Sequence, residues 1–330
     1  MSLPLLPPFS PAFLASPWPR RVERVLLLVG LSLAAWVWWL SVNNPAALPF
    51  LAPWDFAPVM VLTTGMSLWW YWRGLMRVEK NSRPPVWRQL MFIGGVLVTY
   101  FVVQTRFDYM AQHMFFLNRA QHIVMHHLGP MLIVLGWPWA TLLRGMPRVA
   151  ARLLTRAPVH RFLTIMRQPV LAALIFVGLI MLWLIPTVHF RVMITPLYYS
   201  LMNWSMVLDG IIFWSMVLDP RPKEQAGIGV FGRAITAILI IPPQILIGAI
   251  IVFSRHDLYD FYHWCGRFYP TIDPLTDQTL GGLIVWIPSA MASIMALILV
   301  LNFARQNENT AERTRSTAPS DGEQGVDPIG

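Results

Sequence analysis

Cysteine occurs once in the 330 residues, at Cys265. That excludes an intrachain disulfide and any CxxC or CxxxC thiolate pair, so a metal site here has to rest on His, Met, Asp or Glu. Charge is sparse as well: Asp, Glu, Lys and Arg make up 12% of the chain, too little to solvate the surface of a globular protein of this length. Acids are the scarcer sign, 16 against 25 Lys and Arg, for a net charge of +9. The basic residues lie between apolar runs, where they act as topology signals, and no nucleic-acid partner is expected. Nothing in the chain has the form of an enzyme's nucleophile, phosphate loop or paired catalytic carboxylates, so the sequence points away from catalysis.

Apolar residues make up 56% of the chain, in runs of about 20 residues that recur along its length, and this is the composition of a polytopic membrane protein. The expected fold is an all-α transmembrane helix bundle with about eight spans: 22 to 42, 56 to 76, 88 to 107, 112 to 143, 169 to 188, 197 to 218, 230 to 253 and 279 to 303. Residues 1–20 read as a flexible Pro-rich arm, 21–305 as one transmembrane domain and 306–330 as a disordered polar tail. The first run lacks a small-residue cleavage site and is read as an anchor. Of the 25 Lys and Arg, 20 fall in the arm, the tail and alternate connections; the others are Arg106, Arg119, Arg191, Arg255 and Arg267. By the positive-inside rule both termini are cytoplasmic. Arg144, Arg148, Arg152 and Arg156 recur every four residues, a pattern shared by simple topology charges and by a surface helix lying on anionic lipid headgroups.

On this topology seven of the eight histidines fall in the outer half of the membrane, and only His160 faces the cytoplasm. The densest stretch is HIVMHHLGPM, residues 122–131. His122 and His126 stand at i and i+4, which places their Cβ atoms about 6 Å apart on one helical face, a spacing that can chelate one ion. Met125 lies beside them, and a thioether with imidazoles suits Cu(I). His127 is rotated by about 100° on a regular helix. It reaches the same ion only with a partner on another helix or through the distortion that Pro130 introduces. His113 belongs at the mouth of such a site, and His189, His263 and Asp209 are secondary candidates. The competing reading is that these histidines hydrogen-bond between helices and hold no metal.

Asp209 falls near the centre of the sixth span, where an acid needs a partner: a metal ion, a span-four histidine or Arg233. Pro130, Pro138, Pro186, Pro242, Pro243 and Pro288 interrupt spans, as helices do where freed carbonyls line a polar cavity. WSMVLD occurs at 204–209 and again at 214–219. Ten residues do not return to one helical face, and the repeat is read as coincidence. The 254–278 segment gathers His256, Asp257, Asp260, His263 and Cys265 among aromatic residues that suit a membrane interface.

Three stretches together resemble the polytopic CtaG family of cytochrome c oxidase assembly factors: QHIVMHHLGPMLIVLGWP at 121–138, GIIFW at 210–214 and DPLTDQTLGGLIVWIP at 273–288. The residues that carry the likeness include Gln121, Pro130, Gly136, Pro138, Asp277, Gln278, Gly282, Trp286 and Pro288. The resemblance implies a bacterial inner-membrane protein that serves a haem-copper oxidase, delivering copper from the periplasmic side by transient contact with His and Met. Its partners would be oxidase subunits, membrane lipids and a periplasmic copper donor. His122 matches the second histidine of the family's paired motif, whereas Asn118, Leu184, Tyr199 and Asn203 stand where the family carries histidine. The rival readings are a membrane b-type cytochrome with histidine-ligated haem and a proton or ion transporter that uses Asp209.

Overall fold

The computed structural model describes residues 20–53 and 57–316. Among them every regular element is helical. The principal helices are α1 (Arg20–Asn43), α2 (Pro58–Met76), α3 (Val86–Gln104), α4 (Phe115–Leu135), α5 (Pro169–Leu184), α6 (Pro196–Val217), α7 (Val230–Phe253) and α8 (Pro274–Ser316). They fall on the eight apolar runs in order. Length and composition alone qualify five as membrane spans, or seven if each of two bent helix pairs is one span. The helix left out is α2, whose run of Trp69, Trp70, Tyr71, Trp72 and Arg73 dilutes its aliphatic content.

The long fourth run is divided. A helix from Phe115 ends at Leu135, and a second, Trp139–Gly145, leaves it at 80°. Gly136, Trp137 and Pro138 make the corner. A Cβ on Gly136 would lie 2.7 Å from that of Phe92 on α3. Trp137 takes φ +45°, a left-handed backbone uncommon for a large residue. The evenly spaced arginines do not share one surface helix: Arg144 ends the Trp139–Gly145 helix, Arg148 and Arg152 lie on Arg148–Leu154, and Arg156 precedes Ala157–Met166. Pro147 and Pro158 set these breaks, since proline favours the first turn of a new helix over the interior of an old one. At the far end α8 runs to Ser316, so residues 306–316, read from sequence as part of a disordered tail, continue the helix. Residues 1–19 of the expected 1–20 arm and the tail beyond 316 lie outside the described residues, while Arg20 begins α1.

The core lies where α4, α5, α6 and α8 meet, around Phe176, Phe213, Trp214, Met202 and Met206, each almost fully buried. By contrast, none of the apolar window of α1 is buried against the rest of the chain.

The DPLTDQ motif ties the bundle together at the start of α8. Asp273 accepts the backbone N–H groups of Leu275 and Thr276 and caps that helix. Asp277 accepts the N–H groups of Phe115 and Phe116 at 3.0 and 2.7 Å, capping α4 across the interface, and pairs with Arg267. Gln278 accepts from the Leu258 N–H and donates to the carbonyls of Ile251 and His256, which fixes the 254–260 loop. Farther along α8, Gly282 packs on the backbone of Gly248, and Trp286 sits against Gly248 in turn. Pro288 lies inside the helix, where it has no N–H to return to the preceding turn.

Candidate functional site

The site is built on a defect in α4. Residues Val124–Leu128 form a π turn, with the wider i→i+5 ladder. Pro130 has no N–H for the carbonyl four residues back, which belongs to His126, and the helix must find another partner for it. The indole N–H of Trp214 on α6 supplies that partner at 3.1 Å. Gly210, one turn earlier on α6, lets the two backbones meet: a Cβ there would lie 2.5 Å from the His126 oxygen and 2.8 Å from Cγ of Pro130. Gly210 and Trp214, the first and last residues of GIIFW, thus clamp the π turn.

The widened turn brings His122, His126 and His127 onto the wall of one cavity of about 20 Å³. One water molecule needs roughly 10–15 Å³, so the space suits a single water or small ion. Arg119, Met206 and Ser289 complete its polar and polarisable lining. His126 stacks on Phe176 with ring centroids 3.9 Å apart, and His127 meets His126 edge-on at 5.1 Å. Nε2 of His126 donates to Oδ2 of Asp209 at 2.9 Å, which leaves Nδ1 as the ring's lone-pair atom. That Nδ1 has no hydrogen-bond partner, and neither does either nitrogen of His122 or of His127, although all three rings are buried. Buried polar atoms without partners are costly, and the side chains around these three neighbouring rings supply none for the five nitrogens. Among the described residues, however, no three His, Cys, Asp or Glu side chains form a group placed to hold a metal ion.

The other candidates are accounted for locally. Met125 is fully buried in the core and is not on the cavity wall; the thioether there belongs to Met206. His189 is satisfied at both nitrogens: Nδ1 donates to the Trp183 carbonyl and Nε2 accepts from the Tyr262 hydroxyl, at 3.2 and 3.0 Å. His113 donates to the Tyr109 carbonyl at 2.7 Å and packs at a tilt against that ring, with centroids 4.3 Å apart. His263 pairs with Asp257 at the surface. Cys265 is a free thiol that lies 3.6 Å from the Gln112 carbonyl, away from the cavity, and burial pushes its pKa up. Gln121 belongs to a polar cluster in which its side chain and the hydroxyl of Tyr199 both donate to Asp108. Asp209 takes the histidine among its three expected partners; Arg233 instead donates to the backbone of Asp219, whose carboxylate pairs with Arg167 and Arg221. The two WSMVLD copies therefore place their acids in unrelated surroundings. Of the positions where the resemblance implies histidine, Leu184 is on the cavity wall, while Asn118, Tyr199 and Asn203 are not.

Sequence reasoning did not single out Arg119, Ser289 or Trp214 as parts of this site. The first two are wall residues without a metal-ligand signature. Trp214 could have been found by asking what satisfies the carbonyl that Pro130 releases.

Comparison with known proteins covers the stretch that contains this cavity. The family model of the cytochrome c oxidase caa3 assembly factor matches residues 69–306. An uncharacterized protein of Mycobacterium leprae is 24% identical over 301 residues, covering 84% of this chain and 43% of that protein. Uncharacterized proteins of Mycobacterium bovis and Mycobacterium tuberculosis are each 26% identical over 268 residues, 74% of this chain and 38% of theirs. The chain thus spans about two-fifths of the length of these relatives. No solved structure matches.

Proposed function

The chain belongs to the family of cytochrome c oxidase caa3 assembly factors, and from that premise we propose that it carries copper, as Cu(I), to a haem-copper oxidase through the α4 histidines. The observation that carries this reading is the convergence of His122, His126 and His127 on one small cavity, with lone pairs that no protein donor uses. Imidazole and the nearby thioether of Met206 are soft enough for Cu(I). The hydrogen bond from His126 to Asp209 fixes that ring's tautomer and raises the basicity of Nδ1, as second-sphere carboxylates do at metal-binding histidines. Copper is cargo here, so a site that gathers its ligands on loading and releases them to a partner serves better than a closed cage. Leu184 on the wall, where the resemblance implies histidine, keeps the ligand count low.

The charge asymmetry of the connections supports a placement in a bacterial inner membrane with both termini cytoplasmic and the histidines toward the periplasmic side. The partners of this reading are oxidase subunits and a periplasmic copper donor.

Two measurements test it. Purified protein reconstituted with Cu(I) should retain about one ion per chain, and the double substitution His122→Ala with His126→Ala should abolish retention while leaving the protein inserted. Deletion of the gene at low copper supply should lower oxidase copper and activity. Stoichiometric copper in the double variant, or normal oxidase copper in the deletion strain, would refute the proposal.

A further inference from the structure

Arg119 sits one turn before His122 on α4 and is 2% exposed. Its guanidinium lies over the ring of Phe115 at 5.1 Å and donates to the side-chain carbonyl of its neighbour Asn118. Neither group carries negative charge, and among the described residues Arg119 forms no ion pair. The carboxylates of the surrounding helices are engaged elsewhere: Asp277 with Arg267, Asp209 with His126, and Asp108 with Gln112, Gln121 and Tyr199. None of them lines the cavity, where Arg119 is the one Lys, Arg, Asp or Glu on the wall among the described residues. A buried guanidinium with no counter-charge is among the costliest arrangements in a membrane interior, and it persists where something supplies the missing charge.

The same cavity gathers hydrogen-bond donors. Nε of Arg119 has no partner, nor has the hydroxyl of Ser289, which is 1% exposed on α8 beside Pro288. His122 carries at least one N–H in either of its protonation states, and both of its nitrogens are unpartnered. Three unused donors and one uncompensated positive charge therefore meet at a space of about 20 Å³. A water molecule would satisfy the donors but not the charge.

We propose that this cavity is a binding site for one small monovalent anion, held by Arg119, His122 and Ser289. The ligand class is a halide-sized ion or the carboxylate of a small acid; both offer one negative charge and acceptors for several donors. The inference rests on the cavity's donors and charge; it shares His122 and the cavity with the copper reading, and one ion at a time fills the space.

The test uses the full chain in detergent, free of copper, melted in sodium gluconate with chloride or formate substituted at constant ionic strength. Wild-type protein should show a saturable rise in Tm with at least one of the two. Saturation by chloride alone assigns a halide site, and saturation by formate alone a carboxylate site. Arg119→Gln should abolish the response. Ser289→Ala removes one donor at a position where alanine is easily accommodated in a helix, and should raise the half-saturating concentration by about tenfold, the usual worth of one hydrogen bond to a charged group. Should Arg119→Gln fail to fold, Ser289→Ala decides alone. A wild-type response that does not saturate, or an unshifted curve in Ser289→Ala, would overturn the proposal. Copper retention measured separately in gluconate distinguishes failure of this site from failure of the copper reading.

Discussion

The indole nitrogen of Trp214 lies 3.1 Å from the carbonyl oxygen of His126, the acceptor to which Pro130 has no N–H to offer. This bond converts a proline defect into a stable π turn, and the turn in turn decides which way the histidine rings face. Trp214→Phe keeps most of the buried volume and removes the donor. We expect a loss of about 1–3 kcal/mol of stability from the orphaned carbonyl, together with weaker copper retention. Denaturation in micelles and metal analysis check both; a variant with wild-type melting and copper content would show that the clamp is dispensable.

Gly210 offers a steric version of the same test. Alanine there drives a methyl group against the His126 oxygen and Pro130, and overpacking of this kind costs about 1–3 kcal/mol. Gly178 on α5 serves as the control, because a Cβ there meets nothing within 4 Å. Gly178→Ala should be neutral or raise the melting temperature, since a helical alanine is favoured over glycine by roughly 0.5–1 kcal/mol. Equal effects at the two sites would contradict the close approach of α4 and α6.

Asp209→Asn keeps the shape of the side chain but removes the carboxylate that receives the His126 N–H. Loss of such a partner generally lowers metal affinity by about 10–100-fold. Competition against a chromogenic Cu(I) chelator measures it, and unchanged affinity would mean that His126 does not bind metal through Nδ1.

His113→Ala, His263→Ala and Cys265→Ser should leave copper retention at the wild-type level. Each of these side chains has its own local partner away from the cavity. A large loss of copper in any one of them would relocate the ligand set toward the 254–278 loop.

Asp277→Ala should damage folding more than Trp214→Phe, Gly210→Ala or Asp209→Asn. It strands two backbone N–H groups at the start of α4 and leaves Arg267 unpaired, and breaking a buried ion pair costs about 3–5 kcal/mol. The readout is the yield of folded, detergent-soluble protein. Normal yield and melting would show that the cap contributes little.

Much of this architecture was legible in the sequence. The apolar runs locate all eight principal helices because lipid exposure demands contiguous apolar residues, and Pro130 and Pro138 mark the places where the fourth run departs from a regular helix. Asp209 could be narrowed to a metal ion, a span-four histidine or Arg233 because a buried acid must find a partner and few were on offer; the structure gives it His126. The phase of the rings was not legible. A regular helix separates His127 from His126 by about 100°, and a π turn changes that relationship by an amount that depends on a partner 88 residues away. The same reasoning misassigned Arg119: a count of basic residues treats every arginine as a topology signal, whereas this one is enclosed by α4 and its neighbours. His189 and His113 look like ligands in one dimension because their hydrogen-bond partners, Tyr262 and a backbone carbonyl, have no pattern that spacing reveals.

The portion matched by the family begins at residue 69, well after α1 has ended. A helix whose apolar window buries none of its residues against the rest of the chain takes its tilt and depth from what surrounds it. It can therefore drift in register, lengthen or be exchanged for another tether while the histidine chamber stays undisturbed.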